Sequence, residues 1–201
     1  SDPQITSQAG AAFFDAFETE GLLWAPMGFP GGGLNRIGAG PAVLLTPKAA
    51  MAESDLLPYA DAIKHGARMI HVANTLVPTL AHEAQPASVS KAVIQELLRS
   101  EMGFQGVVIA GPVDTIDIST RYTPSQGAIL ALQAGADLVY LHGAGIRAVR
   151  IVGDIVAAIR KGELDESIVN AAFKRVLELK KEKGLVDRPI PEEKDAKDIE
   201  T

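Results

Sequence analysis

MGFQGVVIAGPVDTID, residues 102–117, carries a short apolar run between two glycines. The run, residues 107–110, is rich in β-branched side chains and follows Gly106, which predicts a short buried strand. In α/β proteins the carboxyl end of such a strand commonly holds catalytic side chains. Here the strand is followed by Gly111 and Pro112, which can neither donate a side-chain proton nor attack a substrate. The position best placed for chemistry therefore lacks a reactive group.

The composition is that of a globular chain with a sizeable core. The chain has 201 residues, 47% of them apolar, which fits a single domain. It carries 19 basic and 25 acidic residues without a Lys/Arg cluster, so no nucleic-acid partner is expected. The lack of cysteine excludes disulfides and thiolate metal sites. No run approaches the about 18 apolar residues of a membrane span, so none is expected.

Strand-like and helix-like segments alternate along the chain. Apolar runs predict strands over residues 22–25, 69–72, 107–110 and 138–141. Amphipathic or capped segments predict helices over residues 2–20, 54–65, 90–98, 123–133, 146–160 and 165–183. This alternation predicts an α/β fold with a parallel sheet and outer helices. Four such units are half of an eight-unit (β/α)8 barrel, which typically takes about 250 residues.

The domain is expected to cover residues 1–185, and the polar residues 186–201 are expected to form a C-terminal tail or linker. Within the domain, the loop of residues 26–33 contains three consecutive glycines. No Gly-Lys-Ser/Thr follows them, and no G-x-G-x-x-G opens a helix there, so a nucleotide site is not expected. The loop is interpreted as a flexible connection, and no cofactor is predicted.

Several segments, in a constant order, resemble one family. AGAAFFDAFETEGLLWA (9–25) leads into the loop MGFPGGG (27–33), which DLLPYADAIKHGARMIHVAN (55–74) follows. QPASVSKAVIQELLRSEMGFQGVVI (85–109) is the most diagnostic piece, ahead of LQAGADLVYL (132–141) and GELDESIVNAAFKRVLELKKEKGL (162–185). Together they resemble the C-terminal half of the catalytic (β/α)8 barrel of glycoside hydrolase family 3, the β-N-acetylglucosaminidase and β-glucosidase family. The resemblance runs from residue 1 to about residue 185.

The resemblance also implies which catalytic groups are missing. The family's lysine and histidine that hold sugar hydroxyls correspond to Met27 and Gly28, and a second loop histidine corresponds to Gly32. The strand-end histidine falls at Asn74, and the aspartate nucleophile falls at Gly111. The acid/base histidine of the glucosaminidase branch belongs to a segment that is shortened and altered here. The substrate-contacting arginine would lie upstream of the first residue. No catalytic residue is therefore expected to be retained.

Polar groups near the predicted strand ends define a candidate pocket. Asp114 and Asp117 follow the strand of residues 107–110. Either could act as a displaced nucleophile or bind a sugar, and either could instead cap the next turn or face solvent. His142 follows the last predicted strand and is the best placed of the four histidines. Together with Gly32 and Asn74, these residues make up the candidate pocket.

The remaining histidines and aromatic residues have simpler interpretations. His71 lies inside a strand pattern and is expected to be packed or hydrogen-bonded. No two histidines have the spacing of a metal-binding helix, so no metal site is predicted. Trp24 and Tyr140 could stack on a sugar, but both lie in apolar runs and are expected to pack in the core.

Two functions follow from these residues. The first is a relative that has lost catalysis and keeps the barrel for carbohydrate binding, as a scaffold or for assembly. The second is an active β-glycosidase with relocated catalytic groups, or one completed by a missing N-terminal half, which a start inside a family segment favours. A half barrel has two open sheet edges. The expected partners are a carbohydrate ligand and either an N-terminal half barrel or a second copy of the chain.

Overall fold

The fold alternates parallel strands with helices. The computed structural model describes residues 2–31, 41–80, 85–143 and 145–186. In chain order its elements are α1 (Pro3–Thr19), β1 (Met27–Phe29), α2 (Lys48–Met51), α3 (Leu57–Lys64), β2 (Met69–Val72), a 3₁₀ turn (Ala87–Val89), a π-helix (Ala92–Glu101), β3 (Val107–Ala110), α4 (Ile116–Ser119), α5 (Pro124–Gln133), β4 (Leu138–Val139), α6 (Ile146–Arg160) and α7 (Glu166–Glu182).

The strands form one four-stranded parallel sheet in the order β1-β2-β3-β4. In its centre Ile70 pairs with Val108 and Val72 with Ala110. All four of these side chains are fully buried in the largest hydrophobic cluster, which lies between the sheet and the helices. The predicted α/β fold with a parallel sheet is therefore confirmed.

The opposite face of the sheet, here called the inner face, belongs to none of the hydrophobic clusters among the described residues. It carries alternate side chains of the strands and of the residue after β4: Met27, Met69, His71, Val107, Ile109, Leu138 and Tyr140. Met27 is 72% exposed and Tyr140 is 42% exposed. The inner face is thus exposed at its edges, at Met27 and Tyr140, whereas Val107 and His71 in its centre are buried. Parallel sheets are normally covered on both faces, so the exposed edges are unusual.

Helix α6 also has more apolar surface than its packing uses. Ile151 and Ala158 are buried against the rest of the domain. On the opposite side a continuous stripe stays exposed, since its members recur at helical spacing. This stripe, here called the outer stripe of α6, consists of Ile146, Val149, Val152 and Val156.

A buried ion-pair cluster fixes the amino ends of β3 and β4. The Asp137 side chain is fully buried, and one carboxylate oxygen accepts hydrogen bonds from the backbone N–H of Val108 and from Arg99, both at 2.8 Å. The other oxygen accepts one from Nε of Arg175 at 2.7 Å. Arg99 also donates to the carbonyl of Gly135. This cluster joins the π-helix, both strands and α7 through one carboxylate.

Several local predictions differ from the structure, among them the strand predicted over residues 138–141, which ends at Val139. Residues 22–25 do not form a strand, because Trp24 stacks on Phe14 with ring centroids 3.9 Å apart, and β1 begins only at Met27. The helix predicted over residues 54–65 begins at Leu57, after the separate short helix α2. Tyr140, expected in the core, is partly exposed on the inner face. Gly32 and the tail from residue 187 onward lie outside the described residues.

Candidate functional site

The loop after β3 begins at a glycine that has no room for a side chain. Gly111 has φ +123°, a conformation that residues with a Cβ rarely adopt. A Cβ there would lie 2.8 Å from the backbone nitrogen of Val113 and 2.9 Å from the carbonyl oxygen of Tyr140. Both neighbours are backbone atoms and cannot swing aside. A side chain at the position that the resemblance gives to the nucleophile would therefore be strained and would require the backbone to shift.

Asn74 lies at the carboxyl end of β2, and its amide is fully occupied. It is buried, and its Nδ2 donates to the carbonyl of Pro112 at 2.7 Å and to Oγ1 of Thr115 at 2.9 Å. Its Oδ1 accepts a hydrogen bond from Ser88 at 2.5 Å. Both amide hydrogens are thus used within the protein, so Asn74 holds the loop after β3 against β2.

Asp114 ties the loop after β3 to the loop after β4. Its two carboxylate oxygens accept hydrogen bonds from the backbone N–H groups of His142, at 2.9 Å, and Gly143, at 3.0 Å. Burial acts to raise the pKa of Asp114, but these N–H donors outweigh it, and the net pKa lies below the ordinary value. The carboxylate is therefore charged at neutral pH and stabilised by backbone dipoles.

A cavity of about 300 Å³ lies beside Asp114, between the first turns of α5 and α6. Its floor is formed by Leu141 and Ile151, which pack with the helices, so it opens on the helix side of the sheet. Ser125, in its wall, donates a hydrogen bond to Asp154 at 2.5 Å. Asp114 therefore lines a cavity between α5 and α6.

The other predicted pocket residues occupy different places. Asp117 lies in the first turn of α4, half-buried, and joins neither the Asn74 nor the Asp114 hydrogen bonds. His142 is exposed, with its ring 5.3 Å from that of Tyr140 and its Nδ1 3.7 Å from Asp114. The structure thus brings Asp114 and His142 together and keeps Asp117 apart from them.

His71 lies on the inner face of the sheet, near the ring of Tyr140. It is 8% exposed on the inner face, and neither ring nitrogen has a hydrogen-bond partner among the described residues. Burial lowers its pKa, while the nearby backbone of Gly111 opposes part of that shift without meeting hydrogen-bond geometry. The expectation that His71 is packed or hydrogen-bonded therefore holds for packing alone. The sequence signal was its alternation with Ile70 and Val72.

The lysine and histidine positions of the resemblance are apolar here. The Met27 side chain lies exposed on the inner face, and its carbonyl accepts a hydrogen bond from the Tyr59 hydroxyl at 2.9 Å. Gly28 follows with φ +92°. Neither residue presents a group that could hold a sugar hydroxyl, so β1 contributes only shape to the inner face.

Known proteins place this chain in a family. Residues 1–179 match the family description "Glycosyl hydrolase family 3 N terminal domain". The chain is 27% identical to beta-hexosaminidase A of Pseudoalteromonas piscicida, with 89% of this chain and 33% of that protein covered. It is 31% identical to the beta-hexosaminidase of Stenotrophomonas maltophilia K279a, with 69% and 41% covered. The chain belongs to glycoside hydrolase family 3.

The fold is also similar to solved structures of this family. The chain superposes on the glycoside hydrolase family 3 β-N-acetylglucosaminidase of Paenibacillus sp. str. FPU-7 with a TM-score of 0.84 and 27% identity, covering 90% of this chain and 35% of that one. Related domains of this family are (β/α)8 barrels. The chain thus spans about a third to two fifths of the length of these three relatives.

The described residues carry neither a metal site nor a membrane-spanning helix. No group of three or more histidine, aspartate or glutamate side chains converges there in a way that could hold a metal ion. Within the same ranges, every helix is too short or too polar to cross a membrane.

Proposed function

We propose that this chain is a family 3 barrel domain that has lost hydrolysis and persists as a carbohydrate-binding or assembly scaffold. The observation that carries the proposal is the closed backbone at Gly111, where a Cβ would meet Val113 and Tyr140 below 3.0 Å. A retaining glycosidase needs a carboxylate to form the glycosyl-enzyme and a second group to protonate the leaving oxygen. The first of these has no place in this site.

No described polar group near Gly111 takes the place of the missing carboxylate nucleophile. Both oxygens of Asp114 are held by backbone N–H groups, and this residue lines the cavity on the helix side. Asn74 stands at the strand-end histidine position with its amide hydrogens already donated. Because the groups of a catalytic set work as a unit, losing several together removes most of the acceleration.

We further propose that the chain forms the C-terminal half of the barrel and is completed by an N-terminal half or by a second copy. Three features support this: β1 and β4 lie at the two edges of the sheet formed by the described residues, the inner face is exposed at Met27 and Tyr140, and the outer stripe of α6 is exposed. Unpaired strand edges and exposed apolar stripes favour association. Closing four strands with four more would give the eight of the related barrels.

The first test is hydrolysis of aryl β-N-acetylglucosaminides and aryl β-glucosides, chosen because the relatives are named as enzymes of that kind. We expect no turnover above the uncatalysed rate, because no nucleophile faces the inner side of the sheet at Gly111. An active family 3 enzyme run in parallel provides the positive control.

Asp114→Asn is the matched variant for that assay. If Asp114 only joins two loops, the variant and the parent chain give the same blank rate. Turnover by the parent chain that Asp114→Asn abolishes would replace the proposal with the active, relocated-nucleophile alternative.

The assembly part predicts a stable dimer, or a complex with a separate half barrel, in size-exclusion chromatography with light scattering. Val149→Asp, in the outer stripe of α6, is expected to shift that equilibrium toward the monomer, since a charge there opposes burial. Phe173→Asp, at an equally exposed apolar position on α7 outside the stripe, is the control and is expected to leave the mass unchanged. A compact, stable monomer of the parent chain would contradict this part.

A further inference from the structure

Four charged side chains line the cavity of about 300 Å³ between the first turns of α5 and α6: Asp114, Arg147, Arg150 and Asp154. The other lining residues come from the same two helices and from the loops that precede them. The described residues that line the cavity include none of the side chains named above for the inner face. A volume of this size lies at the lower end of small-molecule sites, so a ligand that fits it is small.

Two of these charges balance each other. Nη1 of Arg147 lies 3.9 Å from Oδ2 of Asp114, and two backbone N–H groups bind the oxygens of the same carboxylate. The charge of Asp114 is thus met by Arg147 and by backbone dipoles. The charges that remain for a ligand are those of Arg150 and Asp154.

Arg150 and Asp154 lie about one turn apart on α6, so their side chains share one side of the helix. In the part of the chain that the structure describes they do not form an ion pair with each other, and Arg before Asp is the weaker order for a pair at this spacing. Ser125 donates a hydrogen bond to Oδ2 of Asp154 at 2.5 Å, which fixes this carboxylate and leaves the lone pairs of Oδ1 for another donor. The guanidinium of Arg150 has a planar fork of N–H donors that matches a carboxylate. The cavity therefore offers one fixed anion and one cation.

The floor of the cavity is apolar. It is formed by Leu141 and Ile151, which pack in one hydrophobic cluster with Val113 and Ala128. Pro124 adds an apolar wall. Covering this floor with an apolar group of a ligand is favourable, whereas a purely polar ion would gain nothing from it.

The signs of the two charges exclude most classes of ligand. A dianion such as a phosphate ester would be opposed by Asp154, and a cation would be opposed by Arg150. A carboxylate alone would satisfy Arg150 and leave Asp154 next to a like charge. A neutral ligand would take water from both charges without replacing it by a counter-charge. A molecule with one negative and one positive group meets both requirements.

We propose that this cavity binds a small zwitterion with an apolar side chain, of the class of the free aliphatic α-amino acids. Arg150 binds the carboxylate of the ligand, and Asp154 accepts hydrogen bonds from its ammonium group. Leu141 and Ile151 contact its side chain. The site goes beyond the proposed loss of hydrolysis and does not depend on it, and every residue that lines it belongs to this chain.

The test is binding of L-leucine and of two molecules that each lack one of its charged groups. Isocaproate keeps the carboxylate and the apolar chain, and isoamylamine keeps the ammonium group and the apolar chain. Each probe is titrated into the purified ¹⁵N-labelled protein and followed by the backbone N–H shifts of the residues around the cavity. L-Leucine is expected to bind about tenfold or more tightly than either of the other two, because a hydrogen bond to a charged group contributes a factor of this size.

Two variants test which residue binds which charge. Arg150→Gln removes the cation, and Asp154→Asn removes the anion but keeps an oxygen that can accept from Ser125. Each is expected to weaken the binding of L-leucine about tenfold. Arg150→Gln is also expected to weaken isocaproate, whereas Asp154→Asn is not, because isocaproate has no ammonium group. A purely structural role of either residue would not produce this difference between the two probes.

Arg160→Gln is the control, because it removes the same charge from the last turn of α6, outside the cavity, and it is expected to leave binding unchanged. Thermal unfolding checks that the variants are folded, and if one of them is not, the three probes on the parent protein still decide the question. Three results would overturn the inference: no saturable shifts with L-leucine, isocaproate bound as tightly as L-leucine, or Arg160→Gln weakening binding as much as Arg150→Gln. The proposed loss of hydrolysis is judged separately, by the aryl-glycoside assay.

Discussion

Gly111→Asp is expected to leave the protein without hydrolytic activity and to lower its free energy of unfolding by about 2–4 kcal/mol. The new Cβ would meet Val113 N at 2.8 Å and Tyr140 O at 2.9 Å, at a φ of +123° that aspartate rarely adopts. Restoring the nucleophile therefore requires rebuilding the loop after β3, and one substitution cannot do this. Urea unfolding and the aryl-glycoside assay measure the two effects.

Gly103→Asp is the control for that variant. Gly103 also has a positive φ, +73°, but a Cβ there meets nothing within 4 Å. Its substitution is expected to cost about 1–2 kcal/mol, from the left-handed backbone alone. Turnover by Gly111→Asp, or a loss of stability no larger than that of Gly103→Asp, would show that the loop can accept a side chain. Either result would favour the alternative that this domain can hydrolyse glycosides.

Asp137→Asn is expected to lower the free energy of unfolding by about 3–5 kcal/mol, the usual result of breaking a buried ion pair from one side. The side chain of Asp137 is 0% exposed and that of Arg99 is 9% exposed. Neutralising the carboxylate leaves the Arg99 guanidinium buried beside Arg175 without a counter-charge. The measurement is the urea midpoint together with the m-value, so that a change in stability is told apart from a change in compactness.

The matched control is Glu182→Gln, which breaks the ion pair of Glu182 with Arg68. Both side chains of that pair are almost half exposed, so the loss is expected to stay below about 1 kcal/mol and to vanish at high salt. Equal effects of the two variants would mean that the Asp137 cluster is not a main support of the strands.

Local sequence patterns predicted several elements to the residue. The β-branched runs of β2 and β3 and the helical pattern of α6 agree with the structure at both ends. These elements are specified by their own residues: short apolar runs for the strands, with glycine on both sides of β3, and helical periodicity for α6. The four-strand parallel sheet followed from their alternation.

Contacts between residues that are far apart in sequence could not be predicted from local sequence patterns. Residues 22–25 look like a strand, but the stacking of Trp24 on Phe14 of α1 uses that apolar surface in a loop. The binding of Asn74 to Pro112 and Thr115, and of Asp137 to its arginines, joins residues that are far apart in sequence. The periodicity of apolar and polar residues along the sequence gives no information about such long-range contacts.

The face of the sheet that packs against the helices contributes most of the buried core, and the inner face contributes much less of it. The largest cluster, with Ile70, Val72 and Val108, lies wholly toward the helices, whereas Met27 and Gly111 lie at the other side or at the strand ends. A substitution at an exposed position of the inner face, such as Met27, therefore disturbs little of the packing that keeps the domain folded, whereas Gly111 is constrained by its backbone neighbours. On the proposed loss of hydrolysis, a domain built in this way can lose reactive groups from its exposed face and still be inherited as an intact building block.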